Sequence, residues 1–148
     1  MQRRSILLLG VSLALMLGAA SAEASQTVWS GLVIANNMAQ PEPIPADLKG
    51  MEDTLKGWFG YNQYKVIGQS RKVLVTGSED WLAQSKYFSL HVDSQEGNDK
   101  TGYRVKLKLF QERNLLLEWE AKLSKESPIM VKGPQVGDGQ LILVLVVQ

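Results

Sequence analysis

The segment that most restricts the fold lies near the end of the chain. Leu141 to Val147 (LILVLVV) is apolar at every position. A run of this length is far short of the roughly 20 residues that a membrane-spanning helix needs. A strand that is apolar on both faces has to be covered on both faces. We therefore expect this segment in the centre of a sheet, with a helix on one face and other strands or loops on the other.

One amphipathic helix is predicted over Ala46 to Phe59. Apolar residues recur there at spacings of three and four, while charged residues occupy the opposite side. The apolar positions are Leu48, Met51, Leu55 and Trp58 or Phe59. Pro45 suits the first helical turn, and Gly60 is the expected end of the helix. Such a helix needs a sheet to pack against.

Strands are predicted from runs of β-forming residues and from alternation of apolar and polar residues. Thr27 to Asn36 is rich in Val, Ile, Leu and Trp, and Phe88 to Val92 alternates regularly. Tyr61 to Val75 fits either two short strands or one strand with a bulge at Gly68. The other predictions are loops over Thr76 to Lys86 and Asp93 to Gly102, and a strand followed by a turn over Ser127 to Gln140.

The segment from Tyr103 to Leu123 predicts a β-hairpin with one face in the core and one in water. Apolar and charged residues alternate on both sides of a polar connection. Placing both apolar sets on one face calls for a connection with an odd number of residues. One such register sets Lys106 opposite Glu118. It also sets Arg104 opposite Glu120, and both pairs are favourable across strands.

These elements together predict an α+β fold. We expect a mostly antiparallel β-sheet or β-sandwich of about six to seven strands, with one amphipathic helix between the first and second strands. The 148 residues less the first 24 leave 124, which is enough for a single domain (25–148) with its own core.

The first 24 residues predict export. Arg3 and Arg4 precede a nearly unbroken apolar run from Ser5 to Gly18, and small residues allow cleavage after Ala22 or Ala24. The run is shorter than the roughly 20 residues of a membrane span, which favours a cleaved signal peptide over an uncleaved anchor. We expect a protein of the periplasm or the extracellular medium, soluble and without membrane insertion after cleavage.

Composition narrows the classes of partner. The chain has no cysteine, which excludes disulfides and a lipid-modified cysteine. Removing Arg3, Arg4 and Glu23 from 16 basic and 15 acidic residues leaves 14 of each. A domain without net positive charge is a poor match to a phosphate backbone, so we expect no nucleic-acid partner.

Few residues suggest catalysis. His91 is the only histidine, and on the polar face of a strand it is more often a surface residue than a general base. One histidine without cysteine does not build a zinc site. Ser78 stands beside Glu79 and Asp80, but the chain lacks the G-x-S-x-G pattern of a nucleophile elbow.

Two further motifs are candidate sites. Glu118 and Glu120 lie on one strand face at a separation suited to glycoside hydrolysis, but basic neighbours would lower the pKa values of both carboxyls. The loop Gly133 to Gly139 (GPQVGDG) contains Asp138, yet it lacks the lysine and following helix of a phosphate loop and the oxygen ligands of a calcium loop. We predict no catalytic residues, no metal site and no cofactor.

Aromatic residues cluster where the predicted helix ends. Trp58, Phe59, Tyr61 and Tyr64 follow one another closely, and their spacing places some of them in the core. Trp58, Tyr61 and Tyr64 are the candidate interaction residues, because an exposed aromatic side chain there would anchor a partner or a sugar.

Two stretches of the chain resemble small exported bacterial proteins that have no assigned activity. The first is the predicted helix running into WFGYNQYKVIG (Trp58 to Gly68), and the second is the closing GPQVGDGQLILV (Gly133 to Val144). The resemblance implies export and a similar fold, and it supplies no functional residues.

Three functions follow as hypotheses. The favoured one is a non-catalytic, exported protein-binding module of the cell envelope, whose partner is an envelope or secretion-system protein. The alternative is a small-ligand-binding domain with a pocket between helix and sheet. A hydrolase that uses carboxylates or His91 is the third.

Overall fold

The computed structural model describes residues 25–94, 103–125 and 127–148. The elements in these ranges are β1 (Ser25–Asn36), a 3₁₀ turn (Ala46–Met51), α1 (Glu52–Phe59), β2 (Gln63–Val75), β3 (Glu79–Gln84), β4 (Phe88–Ser94), β5 (Tyr103–Gln111), β6 (Asn114–Leu123), β7 (Ile129–Val136) and β8 (Gly139–Val147). Sheet 1 has the strand order β2-β1-β8-β7, and sheet 2 has the order β3-β4-β5-β6. Every strand pair in the two sheets is antiparallel.

The structure confirms the predicted fold class. It is an α+β, sandwich-like fold with eight strands in the described ranges, and its helical segment lies between the first two strands. The strand count exceeds the expected six or seven because β3 forms in a segment predicted as a loop. Within the described ranges, no helix is long and apolar enough to cross a membrane.

The closing apolar strand lies inside sheet 1, as its sequence predicts. β8 pairs with β1 on one side and β7 on the other. Leu141 and Leu143 face sheet 2 and contribute to the core between the sheets. Ile142 and Val144 point the opposite way and pack under the helical segment. Both faces are covered, which explains why no polar residue interrupts the run.

The helical segment is a 3₁₀ turn followed by α1, where the sequence predicted one continuous helix. Leu48 and Met51 are three residues apart, which suits a 3₁₀ turn, whereas Met51 and Leu55 are four apart, as an α-helix requires. Leu48 and Leu55 are fully buried against sheet 1. Pro45 precedes the first helical residue, and Gly60 ends α1 in the left-handed conformation (φ 76°).

β2 is one strand with an irregularity at Gly68, which was one of the two predicted alternatives. The β1–β2 register shifts between the pairs Leu32–Gly68 and Val33–Val66. A Cβ atom at Gly68 would overlap the backbone carbonyl of Gln84 in β3. The missing side chain therefore lets β2 approach β3 and brings the two sheets together along this side.

The prediction of a loop over Thr76 to Lys86 was wrong, because Glu79–Gln84 forms β3. Leu82 and Ala83 are consecutive and both buried, and the β3–β4 register shifts between Trp81 and Gln84. This irregularity removes the alternation by which a strand is identified from sequence. Ser30 holds the segment from sheet 1, since its hydroxyl accepts a hydrogen bond from the Ala83 N–H at 3.0 Å.

β4 alternates between buried and half-buried residues, as predicted. Asp93 and Ser94, the first two residues of the loop predicted over Asp93 to Gly102, belong to β4; the rest of that loop lies outside the described residues. Ser127 to Gln140 contains the predicted strand, β7, and a turn with Gly137 at φ 58°.

The predicted hairpin forms, but its register differs from the expected one by two residues. Lys106 lies opposite Glu120, and Lys108 lies opposite Glu118. The predicted Arg104–Glu120 pair is therefore absent from the register. A shift of two residues keeps the same side chains on the same face, so the hydrophobic pattern does not distinguish the two registers.

The connection of this hairpin is also different from the prediction. Glu112 and Arg113 form a two-residue turn, with Glu112 at φ 54°, whereas an odd number of residues was expected. The register then shifts, because Leu109 pairs with Leu117 while Phe110 pairs with Leu115. The extra residue, Leu116, shifts the pairing by one position. The apolar residues of β5 and β6 beyond it therefore lie on the same face, which the odd connection was expected to achieve.

Candidate functional site

The structure separates the three aromatic residues predicted as interaction residues. Tyr64 is buried, and its hydroxyl donates a hydrogen bond to the Leu55 carbonyl at 2.9 Å. Burial raises the pKa of this hydroxyl. Tyr61 is half-buried against the cluster under the helix. Trp58 is 67% exposed, so it alone of the three projects into solvent.

Replacing Tyr64 with phenylalanine tests this structural role. We expect Tyr64→Phe to lower the free energy of unfolding by about 1 kcal/mol, because the buried hydrogen bond to Leu55 is lost. Tyr87→Phe is the matched control, since Tyr87 is half exposed, and it should change stability by only a few tenths of a kcal/mol. Urea unfolding followed by fluorescence measures both. Equal changes in the free energy of unfolding would show that the Tyr64 hydroxyl contributes no more to stability than an exposed hydroxyl does.

A groove lies beside α1, next to the segment that precedes the helix, whereas the small-ligand alternative predicts a pocket between helix and sheet. Its volume is about 270 Å³, and its walls are Pro41, Glu42, Pro43, Ile44, Glu52, Lys56, Asn62 and Tyr64. The Lys56 ammonium bonds to the Glu52 carboxylate at 2.8 Å on the polar side of α1. That hydrogen bond raises the pKa of Lys56. A ligand that used either charge would have to compete with this pair.

An exposed aromatic cluster occupies the outer face of sheet 2. Trp81 contacts His91 edge-to-face with a centroid distance of 5.0 Å, and it lies 5.6 Å from the ring of Phe110. Phe110 is in turn paired with Leu115 across the β5–β6 ladder. Trp81 is 41% exposed and Leu115 is 48% exposed. We call these four residues the Trp81 patch.

Charged side chains border the Trp81 patch. His91 is paired with Lys108, and Lys108 with Glu118, along one row across the sheet. The Nε2 atom of His91 lies 3.7 Å from a carboxylate oxygen of Glu79. Its Nδ1 atom is enclosed and has no hydrogen-bond partner among the described residues. An apolar centre with a polar rim is the arrangement of protein-binding surfaces.

Sequence reasoning missed this patch because its members come from four strands. The sequence places Trp81 in a predicted loop and shows His91 only as an isolated histidine. The regular pairing of the first three residues of β3 with β4 sets Trp81 opposite His91. Aromatic and leucine residues on otherwise polar strand faces were the available signal, but the strand pairing was needed to bring them together.

The candidate catalytic carboxylates face basic residues of β5. Glu118 bonds to the Lys106 ammonium at 2.8 Å, diagonally across the hairpin. This hydrogen bond lowers the pKa of the Glu118 carboxyl, which opposes a general-acid role. Glu120 lies opposite Lys106 in the register. The two glutamates therefore face a basic strand, as their neighbours in the sequence led us to expect.

The other two motifs lie at turns, and Glu79 and Asp80 are the first residues of β3. Ser78 donates its hydroxyl to the Val75 carbonyl, while Asp80 accepts a hydrogen bond from Lys72 at 3.3 Å. Asp138 lies beside Gly137 in the tight turn between β7 and β8. Within the ranges that the structure describes, no three His, Asp or Glu side chains cluster in a way that would hold a metal ion.

No family model, no curated protein and no solved structure matches this chain. The resemblance to small exported bacterial proteins therefore stays a prediction. Function has to be inferred from the residues and their arrangement.

Proposed function

We propose that this protein is an exported, non-catalytic protein-binding module of the cell envelope, and that it binds its partner through the Trp81 patch. The partner class is an envelope or secretion-system protein. The observation that carries the proposal is a large aromatic side chain held in a defined position on an open sheet face. Trp81 is 41% exposed while it packs against His91 and Phe110.

The contrast between the two outer sheet faces supports this choice. The helical segment covers part of the outer face of sheet 1, where Val33, Tyr64 and Val144 are buried. The corresponding face of sheet 2 carries Trp81 and Leu115 in the open. Tryptophan anchors contribute most of the binding energy in many protein interfaces. Trp58 is more exposed, but no ring contact holds its side chain among the described residues.

The export part of the proposal predicts a shortened mature chain. The gene is to be expressed at full length, and the protein recovered from outside the inner membrane. We expect the recovered chain to begin at Glu23 or Ser25, because cleavage follows Ala22 or Ala24. Intact-mass spectrometry of the recovered protein measures this directly. Replacing Ala22 and Ala24 with bulky residues should retain the longer form. A full-length chain confined to the cytoplasm would contradict the export part.

A pair of tryptophan variants tests the binding face. The partner is to be captured by crosslinking in intact cells and identified by mass spectrometry. We expect Trp81→Ser to reduce recovery of that partner about tenfold or more. Trp58→Ser removes a more exposed tryptophan and should leave recovery unchanged. Loss of the partner in the Trp58 variant alone would reject the Trp81 patch as the binding face.

The groove beside α1 supports the alternative of a small-ligand-binding domain. Its walls combine apolar residues with the polar groups of Glu52, Lys56 and Asn62. A thermal-shift screen of small polar ligands tests it, because a ligand that binds only the folded state raises the unfolding temperature. A stabilising ligand whose effect is lost in Asn62→Ala would favour this alternative over the binding module.

A further inference from the structure

The strands at the sheet edges differ in how well they are protected from pairing with another strand. β2 carries the irregularity at Gly68, β3 is irregular after Trp81, and β7 contains Gly133-Pro134 within a register shift. Irregularities and proline are the usual means of blocking an edge. β6 has neither glycine nor proline, its one irregularity, at Leu116, lies near its start, and from Leu117 to Leu123 it keeps an unbroken register.

The sandwich is also open along β6. The inward-facing residues of β5, including Val105, Leu107 and Leu109, are completely buried. The inward-facing residues of β6 next to them, Leu117, Trp119 and Ala121, are all partly exposed. An apolar strand of regular geometry is thus accessible at the edge of sheet 2, which is the arrangement that favours addition of a further strand.

We propose that a second copy of this chain pairs with β6 in antiparallel orientation, with Ala121 opposite Ala121. The two copies would form one continuous eight-stranded sheet from their two sheets 2. Antiparallel pairing about a two-fold axis keeps outward residues opposite outward residues. The charges on the outer face of β6, Glu118, Glu120 and Lys122, then determine the register.

Charge complementarity selects the register centred on Ala121. In this register Glu120 lies opposite Lys122 of the second copy, twice, and no like charges are opposed. A register centred on Glu120 opposes two carboxylates, and one centred on Trp119 opposes Glu118 and Glu120. Centres at Glu118 or Lys122 also oppose like charges. Glu120 and Lys122 also have interactions within their own chain. The charge pairs between the two copies would form in addition to these interactions.

The inward face fits the same register. Trp119 lies opposite Leu123 of the second copy on each side of the axis, and the small Ala121 residues meet at the axis itself. Two strands of this length bury less surface than a standard protein interface. We therefore expect a weak dimer with a dissociation constant in the micromolar range or above, which is visible in a concentration series.

Charge exchange tests the proposal on the full-length gene product. Analytical ultracentrifugation should show a monomer–dimer equilibrium. Glu120→Lys or Lys122→Glu alone should weaken the dimer about tenfold, because both pairs become like-charged. The double variant E120K/K122E should restore the dimer to near its original strength. Lys132→Glu, on the exposed face of β7, is the matched control and should have no effect. A monomer at every concentration, or a double variant as weak as the single ones, would overturn the proposal.

Single cysteines test the register, since the chain has none of its own. Opposed residues in antiparallel strands have Cα atoms about 4.5–5.5 Å apart, within the range of a disulfide. Ala121→Cys should therefore crosslink two copies on mild oxidation. Glu120→Cys should not, because in this register its counterpart is diagonal, at about 7–8 Å. Crosslinking through position 120 but not 121 would overturn the register. The dimer does not depend on the Trp81 patch, so Trp81→Ser should leave it intact.

Discussion

Leu143→Ala is expected to lower the free energy of unfolding by about 2–5 kcal/mol, one of the largest effects of any single substitution considered. Leu143 is completely buried in β8, where it packs in the core between the two sheets. Alanine removes most of the buried side chain and leaves a cavity, because the strands on both sides of β8 hold its backbone in place. Urea unfolding of the purified protein measures the loss.

Leu115→Ala is the matched control, because it makes the same chemical change at a position that is 48% exposed. It should cost less than about 1 kcal/mol. A Leu143 variant no less stable than the Leu115 variant would contradict the placement of β8 in the centre of the core. The m-value should be equal for both, since neither substitution alters the surface exposed on unfolding by much.

Gly68→Ala is expected to destabilise the protein by about 1–3 kcal/mol, although alanine is a better strand residue than glycine. The added Cβ atom would overlap the backbone carbonyl of Gln84. Backbone atoms do not rotate away as a flexible side chain does, so β2 and β3 would have to move apart. Thermal unfolding followed by circular dichroism measures the effect.

Gly57→Ala is the control of opposite sign. Gly57 lies in α1, and apart from its chain neighbours and the helix's own backbone no atom lies within 4 Å of the position of a Cβ. Alanine there should stabilise the protein by up to about 1 kcal/mol, because of its higher helix propensity. If both variants were stabilised, the close approach of β2 to β3 at Gly68 would be wrong.

Local sequence patterns were enough to predict the elements in which burial follows one regular pattern along the chain. β8 was placed in the sheet centre because an unbroken apolar run has to be buried on both faces. The helical segment, β4 and the β5–β6 hairpin followed from periodicity. Gly60 was identified as the helix end for a reason that the structure bears out, its positive φ.

The failures occurred where several arrangements satisfy the same pattern. A two-residue change of register keeps every Lys and Glu of the β5–β6 hairpin on its face, and cross-strand charge pairs contribute too little to select one register. Leu116 adds an extra residue that no periodicity reveals. β3 was missed because Leu82 and Ala83 are buried in succession, which removes the alternation of apolar and polar residues that marks a half-buried strand.

The candidate site was the least predictable part. The sequence identified an aromatic group after the helix, and one member of it, Trp58, is exposed. Tyr64 instead lies in the core, where its hydroxyl donates a hydrogen bond to the Leu55 carbonyl. The Trp81 patch depends on strand pairing, which joins residues 29 positions apart in the chain, from Trp81 to Phe110. Such a juxtaposition follows from topology and cannot be deduced from local sequence.

Site-specific photocrosslinking in intact cells is the most direct test of the proposed binding face. A photoreactive amino acid at position 115, within the Trp81 patch, should give a discrete adduct with a second protein. The same probe at Val73, which is 55% exposed on sheet 1, should not. Adding Trp81→Ser to the position-115 probe should abolish the adduct. Equal adducts from both positions, or an adduct that survives the loss of Trp81, would contradict the proposal that this protein binds its partner through the Trp81 patch.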